Sequence, residues 1–264
     1  MEKSNNRLEI LLSCMHQTEH IIAKSNITCN AVVVNQCGKD GERLIPLPGG
    51  QAMVRWIDSA QRGLSRSRNL AIRSAQCDYC LIADDDEVFA DDVEDIIAGA
   101  FRANADSDVL VFRLKNWDAK YPSGKRRMGY IQAMRTASYQ IAFRREKILA
   151  CGIRFDEEMG SGTGHGSGEE VDFLFQCLRK GLRLTFIPEE IATLEKDSAS
   201  QWFFGYDADY FFWHGWARKR FLGVPCAVLY AVYTAVAKHG AYKKDVSFGS
   251  ALYHMFRGIA SRKP

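Results

Sequence analysis

Short apolar runs alternate with stretches of helical period along the first two thirds of the chain. Leu8 to Cys14 and Ala31 to Asn35 read as buried strands, and Ile21, Ile22 and Ala23 between them read as a helix, which opens a β-α-β pattern. Arg43 to Pro46 and Ala52 to Ile57 are further expected strands around the turn Pro48-Gly49-Gly50, and Gly63-Leu64-Ser65 introduces a helix expected to reach about Gln76. The strand Tyr79 to Ala83 follows. Asp91 and Asp92 then open the most regular helix, with Val93, Ile96, Ile97, Ala100 and Phe101 on one face. Val109 to Leu114, Tyr130 to Met134 and Tyr139 to Phe143 are expected strands, with a loop at Pro122 to Arg127. Val171, Leu174, Phe175 and Leu178 mark a last helix face that stops at Gly181. Strands alternating with helices predict an α/β fold whose parallel or mixed sheet is covered on both faces.

Composition fits one large domain or two small ones: 264 residues, 47% of them hydrophobic, can bury a substantial core. The net charge of +3 is unevenly spread. Residues 201–264 carry nine basic and three acidic groups, while the rest is slightly acidic. The eight cysteines lack the spacing of a disulfide framework, and Cys77-Asp78-Tyr79-Cys80 has no second pair to complete a zinc site, so structural thiols are expected. The start of the chain does not resemble a secretory signal, which points to the cytoplasm and makes the Asn26-Ile27-Thr28 sequon uninformative.

Candidate chemistry begins where Asp84, Asp85 and Asp86 close an apolar strand. Residues two apart on a strand face the same way, so Asp84 and Asp86 are expected to converge while Asp85 faces the opposite side. Hard cations such as magnesium or manganese take one or two such carboxylates and leave room for water and substrate phosphates. An acidic turn before a capped helix is the alternative. In α/β sheets ligands bind beyond the carboxyl ends of the strands, where this triplet lies. A second element is Gly160 to Gly168, with glycine at every second position, running into Glu169 and Glu170. It lacks the lysine of a phosphate loop and does not fit the dinucleotide fingerprint, so a mobile loop covering the substrate is expected, with a plain linker as the alternative. The two glutamates are either ordinary acids of a first helical turn or the ionised base that an attacking hydroxyl requires.

Taken together, Gly63-Leu64-Ser65-Arg66-Ser67-Arg68-Asn69 before a helix, the Asp84-Asp85-Asp86 strand end and Gly168-Glu169-Glu170-Val171-Asp172-Phe173 resemble family 2 glycosyltransferases of the GT-A fold, over about residues 8 to 190. The resemblance implies a GT-A Rossmann-like mixed sheet flanked by helices, and a metal-dependent, inverting transfer of a sugar from a nucleotide-sugar donor, UDP-sugar in the first instance, to a hydroxyl acceptor. It implies Asp86 on Mn2+ or Mg2+, Asp84 near the ribose or sugar and also within reach of the metal, Asp85 at the donor, and Arg68 near the nucleotide. It further implies a catalytic base at Glu170, with Glu169 as substitute. This chain has Glu170 where the family more often has aspartate. It also has Asn35 and Gln36 where many members place an aspartate on the nucleotide base; an amide, both donor and acceptor, can pair with a uracil edge. His165 and His214 are candidates to complete the metal shell, with an acceptor contact or an ordinary surface residue as the alternative for each.

The tail has its own signature. Trp202-Phe203-Phe204, Tyr210-Phe211-Phe212-Trp213 and Trp216 precede Arg218-Lys219-Arg220, and Phe221 to Ala237 is uncharged but interrupted by Gly223 and Pro225. That run is too broken to span a bilayer. Residues 1–195 are therefore expected to form the catalytic domain. Residues 196–264 would form a helical extension that packs on the sheet, touches an anionic membrane from the inner face, or does both, rather than binding nucleic acid. A membrane contact would favour a lipid-linked, cell-envelope or polysaccharide precursor as acceptor. A sugar-nucleotide pyrophosphorylase and a catalytically silent membrane-associated binding protein are the competing readings. Against the first, Ser13-Cys14-Met15-His16-Gln17 stands where a glycine-rich basic loop would be.

Overall fold

The computed structural model describes residues 7–50, 52–116, 122–165, 168–195 and 205–262. Ten strands form one mixed sheet: β1 (Leu8–Met15), β2 (Asn30–Gln36), β3 (Gly41–Pro46), β4 (Met53–Ser59), β5 (Tyr79–Asp84), β6 (Glu87–Phe89), β7 (Val109–Leu114), β8 (Arg126–Met128), β9 (Ile141–Arg144) and β10 (Leu184–Leu194). Their order is β3-β4-β2-β1-β5-β9-β7-β10-β6, with β8 paired to β10. The half built from β4, β2, β1 and β5 is parallel, so its strand ends share one edge. Helices α1 (His20–Lys24), α2 (Leu64–Ser74), α3 (Val93–Ala103), α4 (Tyr130–Ala133), α5 (Arg145–Ala150) and α6 (Glu169–Arg179) accompany the sheet.

Period-two alternation sorts β1 between two cores. Leu8, Ile10 and Leu12 pack with Ile21, Ile97 and Phe101 on one face, whereas Leu11 packs with Ala71, Ile72, Phe173 and Leu174 on the other. The polar members of that second face are also bonded. Ser13 accepts from the Ser67 hydroxyl at 2.9 Å, and Glu9 accepts from the backbone N–H groups of Gln76 and Cys77. Both contacts bind α2 and its exit to β1.

Four expectations change. Arg126 and Arg127, expected in the loop from Pro122, are extended in β8, where they pair with Phe186 and Thr185 of β10. Tyr130 to Ala133, within the segment expected as a strand to Met134, is helical because the Gln132 side chain accepts from the Gly129 N–H at 3.0 Å while Tyr130 packs edge-on against Phe175. Only Ile141 to Arg144 is extended in the segment expected from Tyr139, since Ser138–Gln140 coils into a 3-10 turn held by the Gln140 side chain. Strand β5 stops at Asp84, and Asp85 and Asp86 form the turn into β6, so the same-face argument for Asp84 and Asp86 does not apply.

The chain resumes with α7 (Ala208–Leu222), α8 (Val224–Ala237), α9 (His239–Tyr242) and α10 (Phe248–Ala260). Trp216, Ala217 and Phe221 of α7 belong to the same core as the α2 and α6 face of the sheet. A second small core around Phe211, Tyr242 and Met255 joins the C-terminal helices to one another. Trp202, Phe203 and Phe204 lie outside the described residues. Among the described residues no helix is long and apolar enough to cross a membrane.

Helices α7 and α10 meet backbone to backbone. A Cβ on Gly258 would lie 2.0 Å from the Phe212 carbonyl, and one on Gly215 would lie 2.1 Å from that of Met255. Alanine is the better helix former by about 1 kcal/mol, yet Gly258→Ala is expected to lower stability in urea unfolding by about 1–3 kcal/mol, because backbone cannot yield as a side chain can. Gly99→Ala in α3, where the added carbon would meet only the Arg102 guanidinium at 3.6 Å, is expected to raise it. Changes of the same sign at both positions would defeat the packing argument.

Candidate active site

The site is assembled at the carboxyl ends of β1, β2, β4 and β5. Its centre is Arg68, which α2 carries into the protein until only 1% of the residue is exposed. Its Nη2 donates to both Asp84 oxygens at 2.8 and 3.0 Å and to the Ser138 hydroxyl at 2.7 Å, while Nη1 donates to Glu169 Oε1 at 3.2 Å. The planar fork of arginine makes this double engagement possible. Burial disfavours the charged guanidinium, but Asp84 and Glu169 outweigh that effect and raise its pKa. One side chain thus joins the aspartate triplet to the paired glutamates, reaching a residue 101 positions further along the chain.

The three aspartates divide. Asp84 is taken up by Arg68 and Ser138, and Asp85 Oδ2 accepts from the Gln17 side chain at 3.0 Å on the α1 side. Asp86 sits in the turn, its backbone carbonyl accepting from Glu195 N–H. Beneath them lies Glu87, which the sequence pattern did not single out. It is 1% exposed, accepts weakly from Asp84 N–H, and has a carboxyl pKa driven well up by burial and by the charges of Asp84 and Asp86. No periodicity marks it, because it opens a strand of only three residues. The donors here are oxygens alone, the set that suits magnesium or manganese. Among the described residues no group of three or more His, Cys, Asp or Glu side chains is gathered as a ready-made cation site. An ion would have to draw on one or two carboxylates and on substrate oxygens.

Asn35 and Gln36 are placed at this edge but are occupied. Asn35 Oδ1 accepts from Gln17 N–H at 2.9 Å, and its Nδ2 donates to the Gln17 carbonyl and to Asp58 Oδ1 at 2.9 Å. Gln36 Oε1 accepts from Gly63 N–H at 2.8 Å, which seats the first turn of α2. Each amide therefore ties neighbouring segments together. The carboxylate beside Asn35 comes from the next strand, where Asp58 is paired in register with it. Burial would raise the Asp58 pKa, but donors from Trp56, Asn35, Cys37 and Arg43 outweigh it and hold the pKa down at about 2. Asn35, Asp58, Arg43, Gln17 and His16 line an open cleft of about 980 Å³. Asp58 was missed by sequence reasoning. The available signal was the polar pair Asp58-Ser59 closing a largely apolar strand interrupted only by Arg55, as Asn35-Gln36 closes its neighbour.

The glycine loop is more tightly held than its composition predicts. Leu64 N–H donates to the Ser161 carbonyl at 3.0 Å, and the Ser65 hydroxyl donates to that of Met159 at 2.8 Å. Gly160, at φ +93°, is required, since a Cβ there would lie 2.8 Å from the Glu169 carboxyl carbon. His165 packs at a tilt against Trp213, ring centres 4.5 Å apart, and binds the Glu158 carbonyl through Nδ1. Gly166 and Ser167 lie outside the described residues. His214 sits between Tyr210 and Tyr230, and burial drives its pKa well down, so it remains neutral. Neither histidine joins the aspartates.

Glu169 and Glu170 open α6 behind Gly168. Glu169 is buried against Arg68 and also accepts from Gly168 N–H. Glu170 is half-buried; loss of water and then the Glu169 charge push its pKa up to about 8, against smaller opposing effects from the helix backbone, Arg68 and Arg218. The helix terminus was expected to keep this carboxylate ionised, and desolvation wins instead.

A mixed sheet whose parallel half ends in a hard-oxygen acidic turn and an open cleft, with a raised carboxyl on the helix start beside them, has the organisation of a GT-A glycosyltransferase. The family model described as glycosyl transferase family 2 matches residues 6–159, and the chain belongs to that family. Among solved structures it resembles S. aureus TarS 1-349 in complex with UDP, at 13% identity and TM-score 0.62, over 96% of this chain and 81% of that one. The same protein with UDP-GlcNAc gives 15% identity and TM-score 0.57 over 84% of this chain and 66% of that one. Mannosyltransferase PcManGT from Pyrobaculum calidifontis, in complex with GDP-Man and Mn2+, gives 14% identity and TM-score 0.51 over 96% and 74%. No curated protein matches by sequence. These likenesses carry the fold, and the family carries the class of enzyme, which is not that of a sugar-nucleotide pyrophosphorylase.

Arg68→Met would leave two carboxylates facing each other without their cation. It is expected to cost about 3–5 kcal/mol in urea unfolding, and Arg68→Met/Glu169→Gln is expected to recover part of that loss. Additive effects of the two substitutions would contradict the coupling.

Proposed function

We propose that the chain transfers a hexosyl group from a nucleoside-diphosphate sugar, a UDP-sugar in the first instance, to a hydroxyl of a cell-envelope or polysaccharide precursor. The observation that carries this reading is the Arg68 bridge, which puts the donor-side acid Asp84 and the paired glutamates around one buried cation. The cleft beside Asn35 and Asp58 would take the nucleoside, and Asp84 with Arg68 would set the sugar. Asp86 would hold Mn2+ or Mg2+, with Asp84 the second carboxylate within reach; such an ion supplies positive charge against the departing diphosphate. Asp85, bonded to Gln17, would shape the donor side. Residues 1–195 would be the catalytic unit, and 196–264 an extension packed upon it.

In the reaction the acceptor oxygen bonds to the anomeric carbon as the bond from that carbon to the diphosphate oxygen breaks, which inverts the configuration. The acceptor proton passes to Glu170. Glu169 already accepts from Arg68 and Gly168, and this occupation favours Glu170 as the base.

With manganese and a panel of UDP- and GDP-sugars, Asp86→Ala is expected to lose metal-supported donor binding. Glu170→Gln should keep donor binding by calorimetry while turnover falls by about 10²–10⁴. Full turnover in Glu170→Gln would remove the base assignment.

The raised pKa of Glu170 also sets a pH dependence. Turnover should climb as pH rises through about 8, where the base ionises. The same group favours folding fully below its unfolded pKa, and that contribution is lost as pH rises through the folded value. Stability should therefore decline over the interval in which activity grows, and Glu170→Gln should flatten both profiles. A wild-type rate independent of pH between 6 and about 9 would contradict the assignment.

A further inference from the structure

Helix α8 is built inside out. The residues it turns toward α7 and α10 are small: Ala227, Ala231, Thr234 and Ala235 are buried. Its large apolar residues face away. Leu229 is 71% exposed, Tyr233 64% and Val236 63%, and Val224, Val228 and Val232 are exposed beside them. A helix packed on a water-soluble core ordinarily does the reverse. Contiguous apolar surface of this kind marks a binding face. No charged residue interrupts the 14 residues of α8. Three exposed lysines, Lys238, Lys243 and Lys244, follow its end closely in the chain beside one exposed acid, Asp245, where His239 meets the half-exposed ring of Phe248 at 5.8 Å.

We propose that the outer face of α8 docks the protein on an anionic lipid surface, with Leu229, Val232, Tyr233 and Val236 entering the acyl boundary and the lysine cluster meeting the headgroups. Charge decides between the possible occupants. The described part of the C-terminal helical segment carries eight lysines and arginines against three acids, so a second copy would bring like charges together. An anionic bilayer removes that conflict and gains from each lysine. Length excludes spanning, since 14 residues of helix rise about 21 Å and a hydrocarbon core needs about 30 Å. The helix therefore lies in the interface, with its small face already covered by protein and tyrosine placed where its hydroxyl stays wet. The inference does not rest on the catalytic reading.

The test is flotation of the full chain with vesicles of phosphatidylcholine alone and of phosphatidylcholine with about three parts in ten phosphatidylglycerol, at low and high salt. Binding is expected to the anionic vesicles and to weaken with salt. Leu229→Asp/Tyr233→Asp, at exposed positions where thermal unfolding is expected to stay unchanged, should bind at least about tenfold less. Replacing Lys238, Lys243 and Lys244 by glutamine should weaken binding by about fivefold per lysine. The proposal is overturned if the wild-type chain stays with the unbound fraction or if the aspartate variant floats as well as wild type. It is equally overturned if the wild type ignores vesicles but forms a dimer in sedimentation equilibrium that the aspartate variant dissolves.

Discussion

A buried guanidinium between two carboxylates is the constraint on which the site depends. Arg68, Asp84 and Glu169 come from α2, from the end of β5 and from the start of α6, and each would be costly to bury alone. Together they are affordable only in a geometry that satisfies both arms of the fork. That requirement fixes how far α6 can stand from the sheet and forces glycine at position 160, where any side chain would strike Glu169. Ser138 completes the shell from a 3-10 turn and so draws the segment between β8 and β9 into the same network.

The division of labour among neighbouring acids follows from that clamp. Two adjacent glutamates on a helix are chemically alike, yet one turns inward to Arg68 and the other is left in a partly dry environment beside it, where its proton is held more tightly. The aspartate turn shows the same separation: Asp84 faces the guanidinium and Asp85 the Gln17 side. Environment, rather than residue type, distinguishes members of each cluster.

The C-terminal helices serve the molecule on two sides. Trp216, Ala217 and Phe221 of α7 close the core over α6, and Trp213 packs on His165 of the glycine loop, so this segment supports the site. The glycine contact between α7 and α10 brings the two backbones together, while α8 covers them with alanines and keeps its bulk outside. The aromatic and basic composition of the tail therefore has two physical origins, inward packing and an outward face, that composition alone merges.

Local pattern was enough for the α/β alternation, for the strands of the parallel half, for α3 and α6, and for locating Asp84, Arg68 and the glutamate pair at strand ends and helix starts. These depend on periodicity and on residues close in the chain. The Tyr130 segment went the other way because one glutamine cap and one aromatic contact outweigh β propensity over five residues. The bonding partners of Asn35 and Gln36, and the presence of Asp58 and Glu87 at the site, lay beyond such reasoning. Whether an amide meets a ligand or a neighbouring strand, and whether a carboxyl is ionised, depends on partners from elsewhere in the chain and on access to water. Those are properties of the assembled edge, and only the tertiary structure decides them.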